Sequence, residues 1–329
     1  MFIKKIILPN KKLTTNLGFG CASLMSLKTS KEREQILKTA IKSGILHFDL
    51  ARFYGLGDAE NEFAKSIGNF SKDITISSKF GIKDKFAESR IKDNQMLIRS
   101  IINKSKFLKN IMKKIYFSQL QERNYKTENC LKSLSLTKSA LNRNSIDLYF
   151  IHEPLSYRQI NSSIFEILTK IKYEKVIGGF GIAGDLKIIY SIIEKFNIMD
   201  IDVIQFEIGE KNDFYLEKIN YLLKEKNVLK IRFGLIRKYL EKLNFFIKNN
   251  NKISHEWSNE LGVDLSNFNN LPFVLVASVL SRYPDDLLIY SSTRVEKLRD
   301  LLLKLNDTSF DIKSKRKFSK FYDLVIINL

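Results

Sequence analysis

The sequence is poor in cysteine: Cys21 and Cys130 are the only two in 329 residues. They lie far apart and have no local metal-ligating neighbours, so a disulfide scaffold and a cysteine metal site are both unexpected, and a reducing cytoplasm is the expected setting. No apolar run is long enough to cross a bilayer. The opening stretch Met1 to Pro9 mixes basic and apolar residues, but its apolar run is too short for a signal peptide. There is no internal repeat and no low-complexity boundary, so residues 1–329 read as a single domain. A Gly-x-Gly-x-x-Gly followed by a ribose-binding acid is also missing, which removes the usual mark of a Rossmann fold. Acidic residues are scarce, 36 Asp and Glu against 55 Lys and Arg, giving a formal charge of +19. Such an excess can signal nucleic acid. Here the lysines are dispersed among Asn and Ile over the whole length, so no nucleic-acid partner is expected.

What the sequence does contain is a series of apolar runs that each end in a polar group. Ile45 to Gly57 reads Ile-Leu-His-Phe-Asp-Leu-Ala-Arg-Phe-Tyr-Gly-Leu-Gly, a strand that delivers Asp49 and, five residues on, Tyr54 to a Gly-rich turn. Ile74 to Lys79 ends in an amine, and Ile146 to His152 ends in an imidazole before Glu153-Pro154. Further strands are predicted at Leu17–Ser23, Val176–Ala183, Val203–Ile208, Val228–Phe233 and Asp286–Ser291. Helices are predicted from the capping box at Thr29, then at Asp58–Ile67, Glu128–Leu141, Ile160–Lys172, Leu186–Phe196, Tyr215–Lys226, Leu235–Ile247, Phe273–Tyr283 and Thr293–Leu305, with more helix in the tail Ser309–Leu329. Lys248–Lys252 reads as an exposed turn. Strand and helix alternating in this way argue for an α/β fold, a parallel eight-stranded closed barrel with outer helices. The long Lys-rich connection at 80–127 reads equally as a substrate-covering loop or as a solvated insertion.

Three motifs agree on one family. Phe48 to Gly55 fits Phe-Asp-x-Ala-x-x-Tyr-Gly, the third strand ends in Ser78-Lys79, and Asp147 to Pro154 fits Asp-Leu-x-x-Ile-His-x-Pro. The chain thereby resembles the aldo-keto reductases, a barrel family in which Asp, Tyr, Lys and His act in this order on successive strands. The resemblance implies hydride transfer between NADPH (NADH less readily) and a small carbonyl compound, with a sugar, a sugar derivative or an aliphatic aldehyde all open. Tyr54 would donate the proton, Lys79 would stabilise the phenolate, Asp49 would hold Lys79, and His152 would orient the substrate oxygen. His47 has no motif role and reads as packing, and His255 as an exposed residue in a polar turn.

On the cofactor side the resemblance implies contacts from Gly20, Gln205, Arg232, Ser292, Thr293, Arg294 and Lys297. The last four open a helix, where free amides and basic side chains suit a phosphate and favour NADPH. Here the chain departs from the family. Gly181-Ile-Ala-Gly184 stands where the family has Gly-Val-Ser-Asn, Glu207-Ile208-Gly209 replaces the Tyr-Asn after the glutamine strand, Arg232-Phe-Gly-Leu235 lacks the family's proline, and Leu301 takes the place of its closing Asn. A barrel that binds the cofactor as a regulatory module without turnover is the alternative reading.

Overall fold

The computed structural model describes residues 1–68, 73–82, 123–209, 212–223 and 226–329. Its centre is a closed barrel of β3 (Leu17–Gly20), β4 (His47–Asp49), β5 (Thr75–Phe80), β6 (Leu148–His152), β7 (Phe180–Ala183), β8 (Val203–Glu207), β9 (Leu229–Phe233) and β10 (Leu287–Tyr290). Every neighbouring pair is parallel, including the closing pair of β10 with β3. This is the eight-stranded α/β barrel expected from the alternating pattern. Each predicted barrel strand is present, most of them trimmed by a few residues at their ends, while β5 runs past its expected end at Lys79 to Phe80.

A hairpin of β1 (Lys5–Ile7) with β2 (Leu13–Thr15) covers the end of the barrel where the strands begin. Its loop is held there by Asn10 Nδ2 and Lys12 Nζ, which donate to Asp147 Oδ1 at 3.0 and 2.7 Å. Ile6 and Leu8 push into the lumen, packing in one cluster with Leu148, Phe150, Val203, Ile231 and Leu287.

Around the barrel run α1 (Ser30–Lys42), α2 (Ala59–Ile67), α3 (Thr127–Leu141), α4 (Ser163–Tyr173), α5 (Leu186–Phe196), α6 (Asn212–Leu222), α7 (Leu235–Asn249), α8 (Asn251–Leu261), α9 (Leu271–Arg282), α10 (Val295–Leu305) and α11 (Ile312–Leu324). Local chemistry sets several ends. Thr29 and Glu32 form the predicted reciprocal capping box on α1. Asp185 caps α5 by accepting from Lys187 N and Ile188 N, and Asn197 closes it in the left-handed conformation. The predicted turn at Lys248–Lys252 narrows to a break at Asn250, after which α8 begins. His255 is exposed as expected, but on that helix rather than in a turn.

Strand alternation sends Phe48 outward, where its ring meets Phe19 at 6.2 Å and Phe63 on α2 at 5.1 Å between centroids. Burying a ring of this size contributes about 2 kcal/mol. The same alternation turns His47 and Asp49 into the lumen. The predicted insertion at 80–127 falls mostly on 83–122, outside the described residues. Its ends meet: Ile82 and Arg123 form an antiparallel bridge, and Asn124 N donates to Gly81 O at 2.7 Å.

Candidate active site

The strand ends of the barrel open into a cavity of about 720 Å³. Asp49, Tyr54, Lys79 and His152 all line it, so the structure brings the four residues named from sequence to one mouth. Lys79 is the hub. Its Nζ donates to both oxygens of Asp49 at 2.8 Å, to Leu50 O at 2.8 Å and to Tyr54 Oη at 3.0 Å. Ser77 Oγ donates to Asp49 Oδ1 at 2.6 Å, so the carboxylate is held by donors from two residues of one strand. A buried ion pair is tolerable only when its remaining hydrogen-bonding capacity is filled, and here it is.

The electrostatics follow from burial. Desolvation works against the Lys79 ammonium, yet Asp49 and Tyr54 outweigh it and hold its pKa above the ordinary lysine value. Burial pushes the Tyr54 phenol up to about 12 against the pull of Lys79, so the hydroxyl keeps its proton near neutrality. Burial, then Lys79 and Arg123, push His152 well below the usual imidazole range, so the ring is neutral. The Tyr54 and His152 rings stand edge to face with centroids 5.9 Å apart. His152 Nδ1 is buried with no hydrogen-bond partner among the described residues.

Two supports of this arrangement were not read from the sequence. Arg52 Nη1 donates to the buried Glu60 Oε2 at 2.6 Å, while Ser78 and Thr137 hydroxyls donate to Glu60 Oε1 at 2.7 and 2.9 Å, tying the Tyr54 loop to β5 and α3. Glu60 ends the run Tyr54-Gly-Leu-Gly-Asp-Ala-Glu60, a spacing from the phenol that could have pointed to it. Behind His152, Tyr125 Oη donates to the His152 carbonyl at 2.7 Å. Gly81, at φ +117°, leaves room for the Tyr125 ring where any Cβ would collide with it. No sequence pattern links those two positions.

The opposite wall is sparser. Gly20, Ala183, Gly184, Gln205, Phe233, Ile289 and Ser291 line it. Gln205 is buried and its Oε1 has no partner among the described residues. Gly20 makes space for Ser291 and Ile289, and Ser291 Oγ donates to Gly20 O at 3.0 Å. Arg232 does not reach the cavity. It points outward from β9, where Nε donates to Asp286 Oδ2 at 2.7 Å and the guanidinium lies 3.5 Å from the Tyr283 ring centroid. Arg237, at the start of α7, lines the cavity and pairs with Glu207 at 2.8 Å. Ser292, Thr293, Arg294 and Lys297 sit just beyond the cavity-lining Ser291, at the start of α10. Ser292 Oγ accepts from Arg294 N at 3.1 Å, and Arg294 and Lys297 are exposed, with no ion pair among the described residues.

A parallel barrel whose strand ends present a phenol against an ion-paired ammonium, beside a neutral imidazole, holds groups able to give and take a proton at one mouth. The family model for the Aldo/keto reductase family matches residues 16–238, and the chain belongs to that family. Among solved structures, an aldo-keto reductase from Bacillus halodurans in its holo form is 14% identical with a TM-score of 0.68, covering 97% of this chain and 96% of that one. A glycerol dehydrogenase from Gluconobacter oxydans is 12% identical at a TM-score of 0.66, covering 98% and 96%. An aldo-keto reductase from Klebsiella pneumoniae in complex with NADPH is 11% identical at 0.62, again covering 98% and 96%. At such identities these likenesses establish the fold. A search of curated proteins gives no match. Among the described residues, no helix is long and apolar enough to cross a membrane.

Proposed function

We propose that this chain is an NADPH-dependent aldo-keto reductase that reduces a small aldehyde or ketone, with Tyr54 as the proton donor. The observation that carries the reading is the 3.0 Å hydrogen bond from Lys79 Nζ to Tyr54 Oη inside a cavity that His152 also lines. Bound NADPH would supply the hydride to the carbonyl carbon. Tyr54 then gives its proton to the carbonyl oxygen, and the Lys79 ammonium stabilises the phenolate that remains. Asp49 keeps that ammonium in place and charged. Neutral His152 positions the carbonyl oxygen against the phenol.

The residues on the far wall fit a nicotinamide cofactor. The unpaired Gln205 Oε1 is an acceptor suited to a carboxamide N–H, and the cavity runs towards the start of α10. Arg294 and Lys297, exposed there without an ion pair among the described residues, suit an adenosine phosphate and favour NADPH over NADH. Ala183 and Gly184 supply no side-chain hydrogen bond, and this is the feature that favours the alternative, a barrel that binds cofactor as a regulatory module. Against it stands a filled network around a buried charge pair, which a retired site has no physical reason to keep.

The test is a fluorescence titration of the purified protein with NADPH and NADH, followed by a screen of aldehydes and ketones for loss of the reduced-nicotinamide absorbance. Saturable NADPH binding with turnover of at least one carbonyl is expected. Binding without turnover across the screen would favour the regulatory reading.

A further inference from the structure

The barrel lumen beneath the site holds a chain of polar side chains. Thr14 Oγ1 lies 2.7 Å from Thr75 Oγ1, which lies 3.0 Å from His47 Nδ1, and His47 Nε2 lies 3.2 Å from Ser77 Oγ, the donor to Asp49. All five residues are buried. Gly18 on the neighbouring strand makes room for the ring, since a Cβ there would stand 3.2 Å from His47 Cδ2 and 2.9 Å from Ile289 Cδ1.

The proton positions follow by counting. Asp49 is a carboxylate paired with Lys79 and can only accept, so the single Ser77 hydroxyl proton goes to Asp49. Ser77 Oγ must then accept from His47, which places a proton on Nε2. The neutral ring has no second proton, so Nδ1 accepts from Thr75, and Thr75 in turn accepts from Thr14. Thr75 also lies 3.2 Å from Leu46 O, but sending its proton there would leave the buried Nδ1 without a donor.

We infer that His47 is a positioning residue whose Nε2–H holds the Ser77 hydroxyl so that its proton points at Asp49, which fixes Lys79 against Tyr54. The inference rests on the proposed reductase reading for its consequence, and on geometry alone for the orientation. The charged groups facing His47 are Asp49 and Asp147, which favour a charged ring, and Lys79, which opposes it. Burial outweighs them and lowers the imidazole pKa to about 4, so the ring is neutral at working pH. Without the Nε2–H, Ser77 is free to turn, Asp49 loses a donor, and Lys79 is drawn towards Asp49 and away from the phenol. His47 does not line the cavity, so the substrate contacts are untouched.

The experiment has a spectroscopic and a kinetic arm. The chain has three histidines, and nitrogen-15 NMR of the ring nitrogens, assigned with His47→Gln, reads the tautomer at neutral pH. Protonated Nε2 with unprotonated Nδ1 is expected for His47. Protonated Nδ1, or an imidazolium, overturns the inference, and this arm needs no turnover, so it stays decisive if the proposed reaction fails. Kinetically, His47→Leu keeps the bulk and removes the donor, whereas His47→Gln keeps an N–H near the Nε2 position. His47→Leu is expected to lower kcat about tenfold with KM unchanged. His47→Gln restores most of kcat, and adding Ser77→Ala to His47→Leu costs little more. A folded His47→Leu protein with full kcat, or a Gln variant no better than Leu, overturns the positioning role. Should His47→Leu not fold, Ser77→Ala takes its place with the same expectation.

Discussion

One wall of the cavity, built by β4, β5, β6 and the Tyr54 loop, carries an ammonium, a carboxylate, a phenol and an imidazole, and the first three share hydrogen bonds of 2.8 to 3.0 Å. The facing wall, built by β7 to β10 and the turns that follow them, offers Ala183, Gly184, Phe233, Leu288 and Ile289, with the Ser291 hydroxyl, Arg237 paired with Glu207, and Gln205, whose Oε1 has no partner among the described residues. The two walls lie across one cavity and differ in what holds them together. On the first, each group depends on its neighbours, because a buried charge stripped of its partner is costly. On the second, apolar packing dominates and its one ion pair among the described residues, Arg237 with Glu207, is exposed, so a polar group added or removed there is expected to disturb its surroundings less. The comparison teaches where interdependence lies: changes on the first wall are expected to join stability to the proposed activity, and changes on the second to act mainly on ligand binding.

The strongest way to break this contrast is Lys79→Met. It leaves Asp49 buried with Ser77 as its one side-chain donor among the described residues, and is expected to lower stability by about 3–5 kcal/mol and turnover by at least about 10³-fold. Chemical denaturation beside steady-state kinetics checks both, and a stable but inactive variant would separate what the contrast joins. Next comes pH. His47 is held neutral by burial, with its pKa lowered from 6.5 to about 4, so the unfolded chain binds the extra proton between those values. Its contribution is therefore complete above about 6.5 and is lost as the pH falls towards about 4, costing about 3 kcal/mol, with the lowered pKa of His152 acting in the same direction. Denaturant midpoints measured across that range test the sign.

The facing wall gives smaller effects. Replacing Arg294 and Lys297 with Gln is expected to weaken NADPH binding about tenfold and leave NADH binding nearly unchanged, read by fluorescence titration. Gly184→Asn sharpens the comparison from the other side. A Cβ at Gly184 would meet only ordinary contacts, the nearest being Glu153 Cα at 3.4 Å. The new amide is expected to tighten cofactor binding a few-fold with stability unchanged within about 0.5 kcal/mol. A large loss of stability would mean that this wall is as tightly interdependent as the other.

The difference between the walls also explains what the sequence disclosed. Asp49, Lys79 and His152 stand at the ends of apolar runs, and buried parallel strands are written as such runs, so both the barrel and the gathering of these polar groups at one cavity wall could be read directly. Tyr54 followed from its motif spacing. Arg232 was harder, because whether a strand residue faces the lumen or the helices depends on its register. Its partner Asp286 lies 54 residues away in sequence, and the cavity-lining cation of that segment proved to be Arg237. The helix α8 was hidden by its composition. Asn251 to Leu261 buries only Ser254 and Leu261, and its hold on the body comes from Trp257 packing edge-on to Phe321 at 5.0 Å. The hairpin of β1 and β2 left even less signal, since its strands are three residues each. The ring at position 47, taken as packing from sequence, does pack, but its nitrogens have hydrogen-bond partners on both sides, which only coordinates could disclose.

The most direct test of the account is the kinetic comparison of Tyr54→Phe with the unaltered enzyme, taken together with the Kd of each for NADPH. Removing one hydroxyl should lower kcat by about 10²- to 10⁴-fold while leaving Kd within about twofold, because in the proposed reaction the phenol gives a proton and does not hold the cofactor. A Tyr54→Phe enzyme that retained most of its turnover would contradict the assignment of Tyr54 as the proton donor.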